Sequence, residues 1–407
     1  MKKIICVLLA VTFVLQGVVG ASAEQTKIAT ECYSEDLTVP LEALPADAAV
    51  IKDGKLDINA KSAILMEVNT GKILYEQNAN ERLAPASITK IMSLLLIMEA
   101  IDDGRITLET KVSTSEHAAS MGGSQIWLEP GEEMTVHDLL RATVIASAND
   151  ATVALAELLY GSEETFVEKM NERAKQLGLE NTNFINCSGL DAEGHYTSAH
   201  DVAVASCELL KHKLITKYST VWMDSLRNGE SELVNTNKLV KFYSGCTGLK
   251  TGTTGNAGCC LSASACRDGM ELVAVVMGSP TSNDRFNGAR KMLDFGFANF
   301  EFKTVAGNID GNNTVRVEKG VSKTVTALPD GNLHLLLPKG SQQKIEQTVY
   351  YNEGIIAPVY KGDELGMISV TLEGQEVGAI KLVAANDVKK LTFGRAFLIL
   401  LGGLFCL

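Results

Sequence analysis

Metal-ligand and redox spacings are missing from this chain. Nine cysteines occur in 407 residues, yet no two stand as C-x-x-C, which argues against a zinc ribbon or a thioredoxin-like centre. Small buried thiols are the expectation for most of them. The six histidines are scattered and none forms an H-E-x-x-H pair, so a zinc hydrolase is disfavoured. Basic residues are in deficit, with 37 Lys and Arg against 49 Asp and Glu and a formal net charge of −12. Such a chain lacks the positive footprint that phosphate backbones need, which argues against nucleic acid as a partner. Internal repeats and low-complexity tracts are absent too. What remains is 46% hydrophobic and 21% charged, an ordinary globular composition long enough for about two or three domains and a core without staples.

The two ends read as addresses. Lys2 and Lys3, the apolar run Ile4 to Val14 and the small residues Ala21-Ser22-Ala23 match a secretory signal peptide, residues 1–23. A polar leader, 24–45, follows. At the other end, 387–407, Leu391 to Leu407 is nearly all apolar, preceded by Lys389 and Lys390 and interrupted by Arg395. The unbroken part, Ala396 to Leu407, would span only roughly 18 Å as a helix, against about 30 Å of hydrocarbon. The expectation is a tail lying in the outer leaflet interface of the cytoplasmic membrane, with its lysines among headgroups.

Between the ends the period of the apolar residues changes twice. Ala63 to Val68 and Ile73 to Glu76 read as a hairpin around Asn69-Thr70-Gly71-Lys72. Ser87 to Ile101 is apolar on nearly every face, the mark of a buried helix. Further helices are predicted from Thr135, over Ala151–Tyr160 and over Phe166–Leu177. Three strands follow from Gly248 to Met277, then a helix from about Asn283 to Phe300. The fold class is therefore α+β: a mostly antiparallel sheet, built from both ends of a domain spanning 46–302, packed with helices. Residues 303–386 hold only short strand-like runs between turn residues, a small all-β domain.

Three short patterns carry the chemistry: Ser87-Ile88-Thr89-Lys90, Ser147-Ala148-Asn149 and Lys250-Thr251-Gly252. Serine is a weak nucleophile that needs a base within hydrogen-bond reach. Positions i and i+3 of a helix share a face, so Lys90 stands beside Ser87. Desolvation in an apolar helix favours its neutral amine, which can accept the serine proton. Ser147 and Asn149 sit at a break between helices, where side chains can enter a cleft. Lys250-Thr251-Gly252 on an edge strand offers a cation, a hydroxyl and a glycine that admits a ligand backbone; a free carboxylate suits it. A second S-x-x-K, Ser341 to Lys344, lies in the β region without an apolar helix and is read as a surface accident.

The ordered triplet S-x-x-K, S-x-N and K-T-G is a known mark of β-lactamases and penicillin-binding proteins. With Leu83-Ala84-Pro85-Ala86-Ser87, Gly123 to Gly131, Gly189-Leu190-Asp191 and Asn235-Thr236-Asn237, the chain resembles the serine-type D-Ala-D-Ala carboxypeptidases, the low-molecular-mass penicillin-binding proteins of class C, type-5-like, over roughly Ala60 to Phe302. The resemblance implies roles. Ser87 would be acylated and Lys90 would be its base. Ser147 would relay a proton to the leaving amine, and Asn149 would hold the substrate amide. Lys250 and Thr251, with Gly252, would receive the terminal carboxylate. The N–H groups of Ser87 and Thr253 would form the oxyanion hole. It further implies no metal or cofactor, a peptidoglycan stem peptide ending in D-Ala-D-Ala as substrate, and β-lactam antibiotics as covalent inhibitors. His200 receives no role. A β-lactamase would need a water-activating glutamate in E-x-x-L-N, and Glu180-Asn181-Thr182-Asn183 does not fit; a silent cell-wall scaffold would not need three intact motifs.

Overall fold

The computed structural model describes residues 51–396, apart from 53–55, 310, 312 and 342. The expected signal peptide, the leader and most of the apolar tail lie outside the described residues. The chain divides into two compact units, one ending at Asn299 and the other beginning at Phe300.

The first unit is organised by a six-stranded sheet. Its strands are β1 (Ile51–Lys52), β2 (Ser62–Glu67), β3 (Ile73–Gln77), β4 (Cys246–Thr254), β5 (Gly258–Arg267) and β6 (Met270–Ser279), in the spatial order β1-β3-β2-β6-β5-β4. Every pairing is antiparallel except β1 with β3. β2 and β6 meet in the register Val275 opposite Ile64, so the two ends of the unit share one sheet, as the pattern change predicted. Both strands are buried almost throughout, because both faces are covered; this explains their continuous rather than alternating apolar character.

Helices supply the covers. They are α1 (Lys90–Asp102), α2 (Val136–Arg141), α3 (Asn149–Tyr160), α4 (Glu163–Gln176), α5 (Ala199–Leu210) and α6 (Ser282–Asn299). On one face Leu65 and Leu272 close on Gly296 of α6, where an added Cβ would come within 2.4 Å of Leu272. On the other face Ile64, Met66, Val273 and Val275 join the main core with Ile91, Leu95 and Ile97 of α1. Each such buried Leu, Ile or Val contributes roughly 1.5–3 kcal/mol relative to exposure. Local capping follows the sequence: Thr135 accepts the Asp138 N–H and donates its own hydroxyl to the Asp138 carboxylate, a reciprocal N-cap.

Two expectations need correction. Ser87 is not in an α-helix: Ala86–Thr89 form a 3₁₀ turn and the α-helix starts at Lys90. The last helix of the unit stops at Asn299, and Phe300–Ala306 is a strand of the second unit.

The second unit, over its described residues 300–390, is built of β-strands, turns and loops. Phe300–Ala306 pairs with Asn332–Pro338. A five-stranded sheet runs in the order Thr314–Arg316, Thr324–Asp330, Gln375–Ala384, Glu364–Leu372, Ile345–Tyr351. Its core gathers Val325, Leu335, Ile368, Val370 and Leu382. Among the described residues, no helix is long and apolar enough to cross a membrane. Five cysteines, Cys187, Cys207, Cys246, Cys259 and Cys260, are free thiols, whereas Cys266 is disulfide-bonded.

Candidate active site

The turn before α1 sets the geometry. A 3₁₀ helix has three residues per turn, so i and i+3 eclipse, and Lys90 Nζ stands 3.1 Å from Ser87 Oγ. Ala86, just before, has φ +49°, a left-handed conformation that costs on the order of 1–2 kcal/mol for a non-glycine residue. Glycines on two sides enforce the turn. A Cβ on Gly189 would fall 1.9 Å from the Ala86 carbonyl oxygen, and one on Gly252 would fall 2.8 Å from the Ser87 nitrogen. Side-chain-free backbone from two distant segments therefore presses directly on the serine.

Lys90 is fully buried at 0% exposure. Burial pulls its ammonium from the ordinary 10.5 down to about 7, against smaller upward pulls from Cys187 and Asp150. Its nitrogen donates to Asn149 Oδ1 at 2.5 Å and to the Ser188 carbonyl at 2.6 Å. A neutral amine has two N–H donors and one lone pair. As an ammonium Lys90 donates its third N–H to Ser87 Oγ; once it is deprotonated, these two acceptors use both remaining donors and the lone pair faces the Ser87 hydroxyl.

Asn149 ties the second motif to the first. Its amide nitrogen donates to the Gly122 carbonyl at 2.6 Å and its backbone N–H to the Ser124 carbonyl at 2.7 Å. Ser147, buried, has φ +64° and closes the irregular π-type turn Ala142–Ala146 that breaks the helical run. The break predicted from sequence is therefore real, and it carries the backbone from one helix into α3.

The third motif lies on β4, the last strand of the sheet order, where among the described residues one row of backbone groups has no strand partner. Lys250 is buried and its amine reaches the Thr251 carbonyl at 3.2 Å. Burial pushes its pKa well below the ordinary lysine value, and the neighbouring cations Lys90 and Arg285 push the same way. An incoming carboxylate would supply the missing counter-charge and favour the ammonium. Thr251 donates to the Thr236 hydroxyl at 2.6 Å. Thr253 is exposed near the end of the strand, and Thr253 Oγ1 donates to the Gly252 carbonyl at 2.8 Å.

Several supporting residues escaped the reading of the sequence. Arg285 of α6 donates from Nη1 to the Gly252 carbonyl at 2.8 Å and to Thr253 Oγ1 at 2.9 Å. It braces the end of the third motif. Asp150 is fully buried and accepts from the Ile126 and Leu128 N–H groups, each at 3.1 Å. His195 bridges Thr89 Oγ1 at 2.9 Å and the Ile185 N–H at 3.2 Å. Ala86, Ser124, Ile126, Leu128, Gly189 and Thr236 lay in segments that the resemblance had singled out; Arg285, Asp150 and His195 did not. His200 lies next to Asp201 at the start of α5, 3.3 Å from its carboxylate, and among the described residues it hydrogen-bonds none of the three motifs. Among the described residues, no glutamate hydrogen-bonds Ser87 or Lys90.

A half-buried serine, a buried lysine beside it whose pKa burial depresses to about 7, and an edge strand carrying a second buried lysine define a serine acyl-transfer site. Comparison with known proteins agrees. The family described as D-alanyl-D-alanine carboxypeptidase matches residues 48–281, and the penicillin-binding protein 5 C-terminal domain matches 300–390. The D-alanyl-D-alanine carboxypeptidase DacF of Bacillus subtilis is 48% identical over 350 residues, covering 84% of this chain and 90% of that protein. DacA of Escherichia coli is 32% identical, covering 88% and 91%. Penicillin-binding protein 5 of Haemophilus influenzae superimposes with a TM-score of 0.67 at 32% identity, covering 82% of this chain and 98% of that one. The chain belongs to the D-alanyl-D-alanine carboxypeptidase family, the low-molecular-mass penicillin-binding proteins. It is a serine-type carboxypeptidase that removes the terminal D-Ala from D-Ala-D-Ala peptides of peptidoglycan.

Proposed function

We propose that Ser87 is the nucleophile and Lys90 its base. The neutral Lys90 amine takes the Ser87 proton as Oγ bonds to the penultimate D-Ala carbonyl carbon. The oxyanion forms beside the N–H groups of Ser87 and Thr253. The C–N bond then breaks, and the leaving D-Ala amine takes a proton through Ser147. Water attacks the resulting ester, and the proton it loses returns to Ser87 by way of Lys90. Asn149 holds the substrate amide, and Lys250, Thr251 and Gly252 receive the terminal carboxylate. The observation that carries this reading is the geometry at Lys90: its buried Nζ lies 3.1 Å from Ser87 Oγ, and Asn149 Oδ1 and Ser188 O stand ready to accept the two N–H bonds of its neutral form.

Penicillin-binding protein D2 of Listeria monocytogenes, 30% identical and with a TM-score of 0.55, is known in an ampicillin-bound form. By the same chemistry β-lactams acylate Ser87 here. An intact-mass time course with penicillin on wild type, Ser87→Ala and Ser341→Ala tests the assignment. A long-lived adduct on wild type and Ser341→Ala, absent from Ser87→Ala, is the expected result. Rapid turnover of the drug would point to a β-lactamase instead, and no adduct would mean that the motifs do not assemble.

Export by residues 1–23 and attachment to the outer face of the cytoplasmic membrane by 387–407 complete the reading. The exposed Phe393, following Lys389 and Lys390, supports an interfacial tail.

A further inference from the structure

The mechanism leaves one prominent aromatic side chain without a task. Trp127 is 75% exposed, and its backbone has φ +59°, a conformation rare for a bulky residue. The strain is held from both flanks. Buried Asp150 grips the N–H groups of Ile126 and Leu128. Arg227 donates to the Ile126 carbonyl at 2.8 Å and the Trp127 carbonyl at 3.4 Å, and is itself anchored on Glu132 at 2.8 Å. The loop is thus built to keep the indole outside rather than let it withdraw. Display of a large apolar ring forgoes its burial, and a strained conformation that the surroundings over-determine points to function.

Its position says which function. Asp150 directly follows Asn149, and Asn149 bonds the same loop at Gly122 and Ser124 while its carbonyl accepts from Lys90. The loop 122–128 is therefore a wall of the catalytic site. Leu190 approaches that wall from the segment that presses on Ser87: a Cβ on Gly123 would lie 3.7 Å from Leu190 Cδ2. Trp127 stands in this same loop, three residues after Ser124, whose carbonyl accepts the Asn149 backbone N–H.

We propose that Trp127 is a specificity-determining residue of the acyl-donor subsite. Its indole face packs on the aliphatic side chain of the residue preceding the D-Ala-D-Ala unit. The inference rests on the roles assigned above to Ser87 and Asn149.

The test measures kcat/KM of the full-length enzyme and of Trp127→Ala and Trp127→Phe on two peptides, Nα,Nε-diacetyl-Lys-D-Ala-D-Ala and acetyl-D-Ala-D-Ala. The preference for the lysyl peptide falls about tenfold in Trp127→Ala, the scale of one lost aromatic contact, and Trp127→Phe restores most of it. Equal losses on both peptides would make Trp127 a merely structural residue and overturn the proposal. An unchanged preference would overturn it too, leaving the ring to a glycan, a membrane or another protein. Wild-type enzyme inert toward both peptides would instead defeat the carboxypeptidase reading itself, and this inference with it.

Discussion

Ser87 to Lys90 and Ser341 to Lys344 share one spacing and almost nothing else. The first lysine is fully buried and its pKa falls to about 7. The second is 76% exposed, pairs with Glu346 at 2.5 Å, and is pushed above the ordinary lysine value by that carboxylate. The first serine lies in a 3₁₀ turn held by Gly189 and Gly252. The second follows a turn between strands, its N–H bonded to the Pro338 carbonyl. A serine and a lysine three residues apart are therefore not by themselves a catalytic unit. Burial makes the lysine a base, and long-range backbone contacts make the serine point at it.

The sharpest way to break the comparison is to fix the charge at both copies. Arginine keeps a cation but does not lose its proton in proteins. Lys90→Arg should lower kcat/KM by about 10²–10⁴, the usual worth of a general base, while Lys344→Arg should change nothing measurable. Equal small effects at both positions would deny Lys90 its role. A gentler test is the pH profile of the wild type. Below about pH 7 Lys90 carries its proton and cannot accept another, so kcat/KM should drop by roughly tenfold per pH unit on the acid side. Loss of charge on Lys250, already favoured by burial, should weaken carboxylate binding at high pH. A flat profile between about pH 5 and 7 would mean that a different group supplies the base.

The same contrast shows what a sequence can tell. The three motifs, the hairpin around Gly71, the helix break near Ser147 and the sheet shared by both ends of the first unit were all legible, because each rests on local pattern. The 3₁₀ turn was not. It is dictated by Gly189 and Gly252, which meet Ala86 and Ser87 across the fold. Arg285 and Asp150 were missed for the same reason: each looks like an ordinary helical charge until its partners, Gly252 with Thr253 and Ile126 with Leu128, arrive from distant segments. The start of the strand Phe300–Ala306 was hidden too, since aromatic and apolar residues in a short run fit either period; pairing with Asn332–Pro338 decides it.

The smallest expected effect concerns what holds the first copy in place. His195 is buried, and the Ile185 N–H points at its Nδ1, so the ring proton sits on Nε2 and donates to Thr89, the neighbour of Lys90. Burial lowers its pKa from 6.5 to about 4, offset in part by Asp191. The unfolded chain therefore takes up this proton first. Stability from this group is intact above pH 6.5, falls as pH drops from 6.5 to about 4, and changes no further below that. The full loss is about 3 kcal/mol. Glutamine at this position can accept from Ile185 and donate to Thr89 without titrating. Urea unfolding of wild type and His195→Gln at about pH 7 and about pH 4 measures the difference, and wild type should lose about 3 kcal/mol more than the variant over that interval. Equal losses would show that the histidine leaves its neutral site before the chain unfolds, and that Thr89 and Lys90 do not depend on it for their placement.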